Sequence, residues 1–152
     1  MATFAIAPMH FARLSGLESI PIEHVPAGAT AFAAGEILKT SSGTAVPVVA
    51  DDKTGILGCA LHARVATGED IAYVRSVAGV LFEATLESSS SPGYALLAAD
   101  LGVQYGLNVS SGKTYVDKAE VTALAVTVKS FVSAVGDVRA RVLVEFIPGT
   151  TL

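Results

Sequence analysis

Residues 121–147, VTALAVTVKSFVSAVGDVRARVLVEFI, decide the fold class. From Val138 onward, Arg139, Arg141 and Glu145 alternate with Val138, Ala140, Val142, Val144 and Phe146, the period-two pattern of a strand with one buried and one solvated face. In the preceding run, Leu124, Val126 and Val128 share one face and Thr127 and Lys129 the other, and β-branched residues dominate. The polar stretch 133–137, with its Gly136-Asp137, joins the two runs as a hairpin. A chain whose clearest element is an antiparallel hairpin is read outward as a β-protein.

Toward the N-terminus the same texture recurs. Residues 35–40 and 45–49 flank the turn Ser41-Ser42-Gly43-Thr44, and residues 51–55 make a polar turn before the apolar run 56–63. Residues 67–70 turn into a strand over 71–77, Ala78-Gly79 leads to another over 80–86, and 87–93, ESSSSPG, reads as a surface loop. The segment 94–101, YALLAADL, predicts one short helix, because Ala and Leu are strong helix formers, Pro92 stands ahead of it and Gly102 follows as a stop. Residues 103–109 read as a strand and 110–113 as a turn. Before Gly28 the periodicity fails: Phe4, Ile6, Met9, Phe11 and Leu14 are scattered among small residues, and Pro8, Pro21 and Pro26 oppose a long helix or central strand. The expectation is a mainly β, small antiparallel barrel over 28–152, with one short helix and an extended N-terminal arm over 1–27.

Composition bounds the function. At 152 residues the chain is one domain with room for a real core. Apolar residues make up 51% and charged residues 16%, against about 25% charged in ordinary domains, so a disordered tail or a salt-laced coiled coil is excluded. Mean hydropathy is +0.56, yet charged residues, Gly and Pro interrupt every apolar run before it could span a membrane, and no membrane partner is expected. A net charge of −4, without a Lys/Arg cluster, argues against nucleic acid. The lone Cys59 sits in an apolar run and cannot form an intrachain disulfide. Residues 1–16 lack the basic start of an export signal, and none is read there.

No catalytic constellation emerges. Residues 106–114, GLNVSSGKT, end like a phosphate-binding loop, but five residues separate the glycines where four are needed, and strand formers follow Lys113. His10, His24, His62 and Cys59 show no ligand spacing, so no metal or other cofactor is expected. There is no Gly-x-Ser-x-Gly elbow, and Glu83 with Glu87 reads as a solvated strand face. Asn108-Val109-Ser110 is formally a glycosylation sequon. The chain reads as a non-enzyme, and an alanine-rich, weakly charged surface suits contact between subunits.

The order of several segments carries a resemblance. FAAGEILK at 32–39, AVPV at 45–48, ILGCA at 56–60, GEDIAYV at 68–74 and GVLFEA at 79–84 are followed by DLGVQYGL at 100–107, VDK at 116–118 and RVLVEF at 141–146. This succession, over most of residues 27–147, resembles the capsid decoration (cement) proteins of tailed bacteriophages. The resemblance implies a β-tulip or barrel-like fold on the outer surface of the virion's icosahedral head. It implies a homotrimer at three-fold and quasi-three-fold positions, with the major capsid protein as partner and an arm reaching onto a neighbour. On that reading Phe4, Ile6, Met9, Phe11 and Leu14 are the arm's anchors, and the alternative for each is packing on its own domain. A competing reading is a surface module that holds a carbohydrate or host surface through the serine loop; the lack of tryptophan weighs against it.

Overall fold

A computed structural model describes residues 1–150, so the last two residues of the expected 28–152 unit lie outside the described residues. The strands are β1 (His10–Leu14), β2 (Ile22–Pro26), β3 (Ile37–Ser41), β4 (Thr44–Pro47), β5 (Ile56–Ala60), β6 (Asp70–Arg75), β7 (Val80–Glu87), β8 (Gln104–Ser110), β9 (Lys113–Asp117), β10 (Val126–Phe131) and β11 (Arg141–Phe146). They form two sheets. In the first, the order β7-β11-β10-β8-β9 closes into a five-stranded barrel, because β9 returns to β7 as a parallel neighbour at Leu86↔Val116 and Glu87↔Asp117. β1 joins this sheet by pairing antiparallel with the first half of β7.

The second sheet, in order β2-β6-β5-β3-β4, is built from one continuous stretch of chain inserted between the neighbours β1 and β7. It curls until its edges meet, where Ala27 bridges Ala45 and the Gly28 N–H donates to the Ala45 carbonyl at 2.8 Å. Both faces of this sheet are covered, which explains why all five residues of β5 are buried. Ile37, Ile56, Cys59 and Val74 face the barrel and join its core around Phe82, Val144 and Phe146. Leu38, Leu57, Ala60, Ile71 and Tyr73 face the other way and close on Phe32, Ala27 and Ala45. Gly58 lets β5 and β6 approach: a Cβ there would lie 1.9 Å from the Val74 carbonyl oxygen.

Two expectations change. The helix at 94–101 is reduced to a single 3-10 turn at Ala98–Asp100. Residues 94–96 are extended instead, tied to 136–139 through Arg139 N–H to the Tyr94 carbonyl (3.0 Å) and Leu96 N–H to the Asp137 carbonyl (2.9 Å). A two-turn helix closes too few hydrogen bonds to compete with that pairing. Residues 1–27, expected as an extended arm, lie on their own domain and supply β1 and β2 to the two sheets. The boundary at 27/28 therefore falls inside the second sheet, where Ala27 N–H donates to Glu69 and Gly28 N–H to Ala45.

Candidate functional site

The N-terminal segment is fastened to the barrel by polar contacts on its own chain. The Ala2 N–H donates to Asp137 Oδ1 at 2.8 Å, and the Val138 and Phe4 N–H groups exchange bonds with the Ala2 and Val138 carbonyls. Arg141 on β11 reaches across: its guanidinium lies 5.3 Å from the Phe4 ring centroid and donates to the Ala5 carbonyl at 2.8 Å and to Thr85 Oγ1 at 2.9 Å. The Ala7 N–H donates to the same Thr85 oxygen at 3.1 Å. Farther on, Met9 is wholly enclosed, and its carbonyl accepts a bond from the Cys59 thiol at 3.3 Å.

The five sequence-chosen anchors thus sit on their own domain. Met9 is part of the barrel core, Phe11 and Leu14 pack against that core, Phe4 lies half-buried under Arg141, and Ile6 is half-buried at the wall of a groove. The large apolar side chains left in the open lie elsewhere. Leu17, Ile20 and Ile22 are 40%, 42% and 51% exposed in and just after the connection that carries the chain from β1 to β2. Leu97, Val132 and Val135 are exposed around the β10–β11 turn. The register places these two groups at opposite ends of the β10–β11 hairpin, for Gly79, beside Leu17, bonds Glu145, whereas Gly136 bonds Leu96. Nothing in the sequence pattern separated these residues from core apolar residues.

A second feature is polar. Glu87, at the end of β7, is 3% exposed and accepts from the N–H groups of Ser88 (2.8 Å), Gly93 (3.0 Å) and Tyr94 (3.0 Å) and from Arg139 Nε (2.5 Å). Burial pushes its carboxyl up, but these donors outweigh burial and hold it below the usual glutamate value. Asp117 on β9 does the same for the next stretch: it accepts from the N–H groups of Ser89 and Ala119 and from the Asn108 amide, and its carboxyl is also lowered despite burial. The serine segment 88–91 is a surface loop as expected, with Ser89 to Ser91 exposed, and its Ser88 and Ser89 N–H groups tie it to the two carboxylates. Asn108 of the sequon spends its amide on Asp117.

Between this turn, the β8–β9 hairpin and Ile6 lies a groove of about 600 Å³. The Gly106 to Thr114 stretch that ends like a phosphate loop is simply that hairpin, with Thr114 buried and accepting from the Ile37 N–H at 3.1 Å. Deeper in the barrel, Asp100 accepts from the hydroxyls of Tyr105 (2.6 Å) and Tyr94 (3.0 Å), and Lys118 lies over both rings. Burial and the Asp100 carboxylate push both phenols up. The Cys59 thiol is pushed up to about 12 by burial, which makes it a packing residue rather than a nucleophile. Among the described residues, no group of three His, Cys, Asp or Glu side chains converges as a metal site. Among the described residues, no helix is long and apolar enough to cross a membrane. Compared with known proteins, the chain matches no protein-family model and no curated protein sequence.

Proposed function

We propose that this chain is a structural virion protein of a tailed bacteriophage. It binds the major capsid protein on the outer surface of the icosahedral head, as a homotrimer at three-fold and quasi-three-fold positions. There it stabilises the expanded shell against the pressure of packed DNA. The observation that carries the reading is that each decoration-like segment falls on or beside a strand: β3, β4, β5, β6, β7, β8, β9 and β11 each contain part of one. The likeness therefore follows the framework of two sheets, not a few turns.

The exposed apolar groups support the trimer. Two different patches at opposite ends of one hairpin suit a head-to-tail contact, and a head-to-tail contact that closes makes a ring. At about 25 cal/mol per Å², a few hundred Å² of apolar contact per subunit gives a gross term of several kcal/mol, reduced by the cost of association. Three linked copies then bind more tightly than one, through effective concentration. In this account the contacts come from exposed side chains such as Leu17, Ile20 and Ile22, because withdrawing Met9 would open the protein's own core.

The test replaces Leu17, Ile20 and Ile22 together by Ser and measures co-sedimentation with expanded, undecorated heads. The expected result is binding at least about tenfold weaker, with the variant still unfolding cooperatively in urea at a somewhat lower midpoint, because these side chains are about half covered by the chain itself. Binding at full strength by the variant would remove this surface from the account, and no binding by the unaltered protein would remove the function.

A further inference from the structure

The groove beside the serine turn is lined by polar groups that have no protein partner among the described residues. Tyr115 is only 6% exposed, yet among the described residues its hydroxyl has no hydrogen-bond partner. Lys113 Nζ and the hydroxyls of Ser110 and Ser111 line the same groove and likewise have no partner among the described residues. Arg139 lines it too. Its Nε is committed to Glu87 at 2.5 Å, while its two terminal nitrogens have no partner among the described residues.

Arg139 is held there against its backbone preference. Its φ is +51°, the left-handed region that non-glycine residues seldom adopt. Three contacts keep it in place: its N–H donates to the Tyr94 carbonyl at 3.0 Å, its own carbonyl accepts from Arg141 at 3.0 Å, and its Nε meets Glu87. Strain that the surroundings enforce in this way is a recurrent feature of binding sites.

The chemistry of the free groups selects a ligand. Glu87 and Asp117 are already saturated by donors, and Glu87, which also lines the groove, offsets the charge of Arg139, so what remains toward the groove is an excess of donors with one uncompensated positive charge, that of Lys113. A ligand must bring acceptor oxygens and negative charge, and a guanidinium with two free terminal nitrogens suits a carboxylate. The opposite requirement comes from Ile6, Pro92 and Val109, an apolar wall that an inorganic anion would leave unused. A pyranose ring has a C–H face, a rim of hydroxyls and, in a sugar acid, one carboxylate. The volume of about 600 Å³ lies within the usual range of small-molecule sites. An acidic peptide strand is less well served, since β8 and β9 already pair with each other along the groove.

We propose that the groove formed by Tyr115, Lys113, Arg139 and the serines of the β8–β9 turn binds a carboxylated sugar, the carboxylate at Arg139 and Lys113 and the ring against Ile6 and Pro92. The inference is independent of head binding, because a protein on the outside of a particle can carry such a site and so can a free module.

The experiment titrates the full, isotope-labelled chain with methyl glucuronide and follows its amide resonances, with methyl glucoside, acetate and a glutamate-rich peptide as comparisons. Saturable shifts are expected at 88–93 and 108–113, with methyl glucoside and acetate each at least about tenfold weaker. Lys113→Gln, which keeps the apolar stem, should weaken the glucuronide by about tenfold, and Tyr115→Phe by about threefold, with all other resonances in place. The proposal is overturned by absence of shifts at about 10 mM ligand, by equal binding of glucoside or acetate, by tighter binding of the peptide, or by a Lys113→Gln chain that binds as well as the parent.

Discussion

Replacing Glu87 by Gln keeps the shape of the side chain and removes only its charge. The carboxylate receives three backbone N–H groups and one guanidinium while 3% exposed. Gln offers one acceptor oxygen in place of two and turns an amide N–H₂ toward groups that are themselves donors. Hydrogen bonds to charged groups are worth about 1.5–3 kcal/mol each, and leaving a buried charge without its partner costs about 3–5 kcal/mol. Arg139 is one-third exposed and recovers some hydration, so the lower end applies, about 3 kcal/mol overall. For a chain of this length that lowers Tm by about 6–12 °C. The sign with pH follows from the lowered carboxyl: its stabilisation is complete above the ordinary glutamate value of about 4.3 and is lost as pH falls through the lower folded value. Urea titrations of parent and variant from neutral pH down to about pH 3 measure both. The gap between the two curves should be widest at neutral pH and close in acid. A variant within about 0.5 kcal/mol of the parent at neutral pH would refute the reasoning.

Other consequences can be measured on the same protein. Met9→Ala empties a fully enclosed site between the sheets and should cost about 2–5 kcal/mol; a urea midpoint equal to the parent's would mean that the N-terminal segment is not part of the core. Cys59, its thiol pushed up to about 12, should react with a disulfide reagent at pH 8 only as fast as the fold opens, and reaction at the rate of a free cysteine peptide would contradict its burial. All four tyrosine phenols are raised, Tyr94 and Tyr105 chiefly by burial and their bonds to Asp100. Alkaline titration followed at the phenolate absorbance should therefore leave two of the four phenols, Tyr94 and Tyr105, un-ionised near the ordinary value of about 10 while the protein is folded; full ionisation of all four there in the folded protein would contradict the Asp100 network.

The sequence made some elements legible because their signals are local. The alternation in β11 and the polar 133–137 turn predict the hairpin that the structure contains, and the order of turns from Ser41 to Gly79 marks β3 to β7. What was illegible depended on distant partners. β1 and β2 are edge strands, and Pro26 ends β2 where an edge tolerates a residue without N–H. Prolines that forbid a central strand therefore read as an arm, although His10 pairs with Glu83 and Ile22 with Val74. The apolar run of β5 signals a buried strand but not that each of its faces belongs to a different core. The helix at 94–101 satisfied every local propensity and lost to pairing with 136–139. The groove was invisible for a similar reason. Lys113 and Tyr115 meet Arg139 only because the barrel closes β9 onto β7, and no spacing along the chain encodes that closure.

Head binding is tested most directly by titrating the purified chain onto expanded, undecorated heads of the virus that encodes it and counting bound copies at saturation. The account predicts a plateau at three copies for each three-fold and quasi-three-fold position. No binding at about 10 µM protein, or a plateau of only a few copies per head, would contradict it.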